Sequence, residues 1–245
     1  MDHTNSSVVR ETFGAGIDII RLNRPAKRNA LDSATIAQLV DALATVAAEP
    51  DLRVLILSTT DVRAFCAGAD VGEVLDHAGG VARMAAFTRL YTAVDQFPVP
   101  IVAVCVGNCV GAGAELVVGC DLRVGGDNLK LAWAGARLGV PVGPARLAPL
   151  IGVSRAKDLV LTGRVVGAAE GEALGLLHRT APADDAEAVA LELAATVAAH
   201  SASGVRLLKQ MFRELDAMPG RVAYENEKLM EFQLRGGGLP TGSAP

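Results

Sequence analysis

Aromatic residues make up only 4% of this 245-residue chain, with one tryptophan and two tyrosines. Alanine, valine and leucine must therefore do most of the packing. Long hydrophobic runs are missing too. The stretch "PIVAVCV" (100–106) falls far short of the roughly 18 apolar residues that a membrane span requires. The N-terminal "MDHTNSSVVRETFG" has no apolar segment of the kind a secretory signal carries. A net charge of −4 without a basic stripe argues against nucleic acid as a partner. Cys66, Cys105, Cys109 and Cys120 form no C-x-x-C pair and lie among small or apolar neighbours, which points to buried, reduced thiols in a cytoplasmic protein. The four histidines are scattered, which counts against a metal site.

What remains is a chain that is 51% hydrophobic and 20% charged, ample for a large core. "GIDIIRLNRP" (16–25) predicts a strand ending at proline. "DSATIAQLVDALATVAAEP" predicts a helix capped by Asp32 or Ser33. "LRVLILST" (52–59) and "PIVAVCVG" predict buried strands, "AFCAGADVGEVL" (64–75) a turn into a helix, and about 80–97 a further helix. Strand, glycine turn and helix recur about every 45 residues, the pattern of parallel strands covered on both faces. After Pro141 the pattern turns helical, and no linker divides the chain. The expectation is one α/β domain over 1–245, with a tail without fixed structure at 235–245.

Two segments place small residues between a buried strand and an expected helix: Ala67-Gly68-Ala69-Asp70 and Gly111-Ala112-Gly113. They are either tight turns that need small side chains or a pair of outward-facing N–H groups forming an oxyanion hole. "GAGAEL" (111–116) lacks both the sixth-position glycine or alanine and the later acid of a dinucleotide fingerprint. There is no G-x-S-x-G elbow and no Walker lysine. Cys66 reads as a packed thiol and Asp70 as a helix N-cap. Lys130, Trp133 and Arg137 read as structural or surface residues.

"RPAKRNALD" (24–32), "AFCAGAD" (64–70), "GNCVGAGAELVVGCD" (107–121) and "LTGRVVGAAEGEALGLL" (161–177) occur in an order and spacing that resemble the enoyl-CoA hydratase/isomerase (crotonase) family, from about residue 8 to about 233. The resemblance implies an α/β crotonase-type ββα spiral over about 8–200, a helical trimerisation part at about 201–233, and a homotrimer or homohexamer. It implies an acyl-CoA thioester as ligand and no cofactor beyond the coenzyme A of the substrate. The thioester carbonyl would meet the backbone amides of Ala69 and Ala112. Lys27, Arg28, Ala30, Ala67, Gly68, Asp70 and Val71 fall where the family holds the nucleotide and pantetheine.

Glu115 stands among glycine, alanine and valine, where a carboxylate loses hydration. It matches one of two glutamates that hold water in family hydratases; the plain alternative is a first-turn glutamate favoured by the helix dipole. The second family glutamate falls at Gly135, and no Asp or Glu occurs from Asn128 to Lys157. Half of the acid–base pair is absent. The expectation is a hydratase-like lyase of reduced activity, which Gly135→Glu should improve if the backbone there tolerates a side chain. A non-catalytic acyl-CoA binding protein and an isomerase using Glu115 are the alternatives. Glycine, proline and serine replace the family's final helix, so the acyl pocket is expected to be open or closed by a neighbouring subunit.

Overall fold

β-Branched runs that stop at glycine, proline or aspartate become the strands of a six-stranded sheet. The computed structural model describes residues 6–216 and 220–235. β1 (Val8–Gly14) and β2 (Ile17–Leu22) form an antiparallel hairpin, turning where Ala15 and Gly16 both have positive φ. α1 (Ser33–Ala47) follows, and the Asp32 carboxylate caps it by accepting from the Thr35 N–H at 2.8 Å. β3 (Val54–Thr59), α2 (His77–Asp95) and β4 (Ile101–Cys105) come next, both strands parallel to β2 and buried along their whole length.

The chain then alternates between two layers. β5 (Asn108–Val110) lies outside the main sheet and leads into α3 (Ala112–Gly119). β6 (Leu122–Gly126) returns to the sheet beside β4, and β7 (Lys130–Ala132) pairs with β5. Single bridges Leu31–Ala69, Cys66–Cys109 and Leu131–Val166 extend this second layer. After α4 (Gly135–Leu138), α5 (Pro144–Ile151), α6 (Val153–Thr162) and α7 (Ala168–Ala173), β8 (Arg179–Ala181) closes the sheet in the order β1-β2-β3-β4-β6-β8. Sequential order with a short second layer is a spiral, not a doubly wound sheet.

The shortage of aromatics is explained by α8 (Ala186–Ala198). Ala186, Ala190, Ala194 and Ala198 repeat every four residues and pack on Ile19, Ile56, Val102 and Val124. Methyl-sized side chains let the helix approach the sheet closely. α1, α2 and α3 cover the opposite face with the larger leucine and phenylalanine core. α9 (Ala202–Asp216) and α10 (Arg221–Leu234) complete the described chain. The expected tail beyond Arg235 lies outside the described residues. No single helix among them is long and apolar enough to cross a membrane.

One expectation fails. Residues 64–75 do not turn into a helix; they form an irregular segment with single bridges at Ala64, Cys66 and Ala69 and a turn at 71–72, and the next helix begins at His77 with Asp76 as its cap. Asp70 is therefore no N-cap. Its carboxylate accepts from the Gly72 N–H at 2.9 Å and pairs with Arg24 at 2.6 Å, and that long-range partner fixes the loop.

Candidate functional site

Residues 28–31 and 67–70 are zipped together. The Ala67 N–H donates to the Arg28 carbonyl (3.0 Å), Leu31 N–H to Gly68 (2.8 Å), and Asp70 N–H to Leu31 (2.9 Å). Gly68 has φ +100°, a conformation open to glycine, and the Ala69 N–H is left out of the zipper. Ala112 is the first residue of α3, so its N–H has no acceptor within the helix. Among the described residues neither N–H has an acceptor. The two turns touch: a Cβ on Gly68 would lie 2.8 Å from the Val110 carbonyl oxygen and 3.7 Å from the Ala112 nitrogen. Small residues are thus required for contact, and the contact brings two open donors to one place.

Both alanines line a cavity of about 170 Å³. Its walls include Met84, Phe87 and Tyr91 from α2, Val140 and Val142 from the loop before α5, and Leu229 from α10. Ala67, Gly68 and Val71 line it as well. Lys27 and Arg28 are exposed beside it on the zipped loop, and Ala30 is half-buried. Burial by itself would raise the Asp70 carboxyl; the Arg24 guanidinium and the Gly72 N–H hold it below the usual carboxylate range. Asp70 thus serves to clamp the loop through Arg24, which also pairs with Asp32 at 2.8 Å.

Glu115 does not line the cavity. Its carboxylate is fully buried, accepts from the Trp133 indole N–H at 2.8 Å, and pairs with Arg146 Nη1 at 3.0 Å. The Arg146 guanidinium lies 4.6 Å from the centroid of the Tyr91 ring, which stacks on Phe87 at 5.9 Å. A buried charge needs a partner of this kind, and the pair forms the wall behind the cavity. Trp133, expected as a structural or surface residue, is buried in this wall, and Arg146 is the wall residue that sequence reasoning missed. Arg146 in the apolar run "PARLAPLI" was the available signal, because no nearby acid could neutralise it.

Gly135 does line the cavity, but there is no room on it for a side chain. A Cβ would meet the Val140 carbonyl oxygen at 2.6 Å and Val142 Cγ1 at 3.2 Å. The obstacle is space, because Gly135 is not among the positive-φ glycines. The backbone condition on Gly135→Glu is thus unmet. Gly135→Ala should cost about 1–3 kcal/mol, as overpacking does, and Gly135→Glu should give no gain in hydration. Urea midpoints and crotonyl-CoA hydration rates check both; a stable, faster Gly135→Glu variant would refute the steric reading.

The four cysteines are buried, and burial pushes the Cys66 thiol up to about 12, which suits packing rather than nucleophilic attack. No cluster among the described residues is suited to hold a metal ion.

A sequence profile of the enoyl-CoA hydratase/isomerase family matches residues 12–233. The chain belongs to this family. It is 36% identical over 197 residues to the "Probable enoyl-CoA hydratase echA8" of Mycobacterium bovis, covering 79% of this chain and 76% of that one. It is 33% identical over 199 residues to the 2,3-dehydroadipyl-CoA hydratase of Escherichia coli, covering 80% and 78%. An enoyl-CoA hydratase from Bacillus anthracis superposes with a TM-score of 0.79 at 26% identity, over 97% of this chain and all of that one. An enoyl-CoA hydratase/isomerase from Xanthobacter autotrophicus Py2 shares the fold with a TM-score of 0.85 at 21% identity, over 98% and 91%. The fold is the crotonase spiral that the motifs imply.

Proposed function

We propose that this family member binds a coenzyme A thioester with the carbonyl oxygen between the Ala69 and Ala112 N–H groups, and that it is an enoyl-CoA hydratase-like lyase of reduced hydratase activity. The observation that carries this reading is the pair of acceptor-free N–H groups on the wall of one apolar cavity. Donors aimed where negative charge develops stabilise a thioester enolate, typically by a few kcal/mol each. Lys27 and Arg28 supply cations for the nucleotide, and Ala30, Ala67, Gly68, Asp70 and Val71 frame the path of the pantetheine. An uncharged, compact acyl group suits the apolar walls.

Hydration also needs a base for water and a proton donor for the α-carbon. Gly135 supplies neither, and Glu115 is committed to Arg146 behind the wall. That commitment supports a second reading, an acyl-CoA binding protein without turnover, and counts against an isomerase using Glu115. Crotonyl-CoA hydration measured beside calorimetric binding of butyryl-CoA separates the readings. Binding with hydration at least about 100-fold below a two-glutamate relative is expected; no binding of either thioester would refute the proposal. We further propose assembly as a homotrimer or homohexamer of single-domain chains in the cytoplasm. Leu207, Leu208, Met211 and Phe212 are exposed on α9, and an apolar face of that kind supports burial against another copy. Sedimentation as a monomer would exclude it.

A further inference from the structure

We propose that Tyr91 is the acid–base group of this site, carrying protons to and from the α-carbon of the bound thioester; this rests on the thioester reading above. Among the described residues that line the cavity, Tyr91 is the one whose side chain carries a dissociable proton; the other lining side chains are hydrocarbon or thioether. Met84, Phe87 and Tyr91 lie at i, i+3 and i+7 on α2 and so form one stripe along the cavity wall. Near the start of this stripe Arg83 donates to the Asp70 carbonyl at 3.1 Å, which anchors α2 beside the Ala69 turn. Tyr91 lies about two helical turns further on.

The ring is held firmly. It stacks on Phe87 with 25° between planes, and the Arg146 guanidinium covers it at 4.6 Å. Arg146 is in turn fixed by Glu115, and Glu115 by Trp133. The glutamate that matches the family's water-holding residue here helps to set the position of a phenol.

The chemistry follows from that substitution. With the carbonyl oxygen held by two N–H groups, the α C–H bond breaks and its electron pair passes to the carbonyl oxygen. Loss of the phenol proton to solvent leaves Tyr91 as the phenolate, and the α-proton goes to its oxygen. The phenol exchanges that proton for one from solvent and, in the reverse direction, returns it to the α-carbon; the enolate collapses to the thioester and the phenolate is restored. No water molecule need be activated. The cavity is thus equipped for proton transfer next to a thioester carbonyl and poorly equipped for hydration.

Deuterium incorporation into the α-position of butyryl-CoA in D₂O, followed by mass spectrometry, tests this on the full chain, with calorimetric binding measured alongside. The wild type should incorporate deuterium. Tyr91→Phe, which keeps the ring between Phe87 and Arg146, should bind butyryl-CoA within about threefold while exchange falls at least about 100-fold. Binding without exchange in the wild type, or wild-type exchange in folded Tyr91→Phe, would overturn the proposal and leave the thioester reading intact. Absence of binding would overturn both. The chain has only two tyrosines, so 3-fluorotyrosine incorporation in a Tyr224→Phe background gives an independent check without removing the phenol. The pH profile of exchange should move to lower pH, and an unmoved profile would also count against Tyr91.

Discussion

Arg146→Leu should lower the stability of the fold by about 3–5 kcal/mol, because removing one partner of a buried ion pair strands the other charge. Glu115 has no solvent exposure and Arg146 has 7%. The loss is thus the desolvation of a carboxylate deprived of its guanidinium as much as a missing contact. The variant also uncovers the Tyr91 ring, which loses the cation at 4.6 Å. In a chain of this size the change corresponds to a fall of about 10 °C in melting temperature. Glu115→Gln combined with Arg146→Leu should recover much of the loss. A neutral amide can still accept from the Trp133 indole N–H, and no charge is left behind the wall. Urea denaturation of the two variants beside wild type decides the matter. A loss under about 1 kcal/mol in Arg146→Leu, or a double variant no better than the single, would mean that solvent reaches the pair.

That pair also marks the limit of what the sequence discloses. β2, β3 and β4 are legible because apolar residues on both faces leave no alternative to a covered parallel sheet. α1 and its Asp32 cap are legible because capping is local chemistry between neighbours. β7 and β8 escape notice at three residues each, too short for an alternating pattern to register. The 64–75 segment misleads because Asp70 looks like a cap, whereas its partner Arg24 lies 46 residues earlier in the chain. Glu115 presents the same difficulty in reverse. Its apolar neighbours reveal that the carboxylate is buried, but Arg146 stands 31 residues away, and only the fold brings them to 3.0 Å. Gly135 announces a missing carboxylate; that Val140 and Val142 fill the space beside it appears only in three dimensions. Tyr91 left one faint mark, a rare aromatic four residues after Phe87 in a chain short of aromatics.

Ala69→Pro should reduce thioester turnover by about 10²–10³-fold, the usual consequence of deleting one oxyanion donor. Proline removes the N–H and adds ring carbons while leaving every other cavity-lining side chain in place. The Ala69 N–H takes no part in the zipper, since Ala67, Leu31 and Asp70 supply its donors, so the fold should survive. Ala112→Pro offers the matching deletion from the other side. Its position is the first of α3, where proline is well accommodated because that N–H makes no intrahelical bond. Binding of butyryl-CoA should weaken far less than turnover falls in either variant, because the carbonyl oxygen carries full negative charge only as the enolate forms. The reading is hydration of crotonyl-CoA where it is measurable, and α-proton exchange where it is not, each with a urea midpoint as the folding control. Should both folded variants turn over thioester at the wild-type rate, the two N–H groups would be parts of a tight turn and nothing more. If only one variant is impaired, the carbonyl oxygen rests on that donor alone, and the substrate must lie nearer to whichever turn, Gly68-Ala69 or Gly111-Ala112, supplies it.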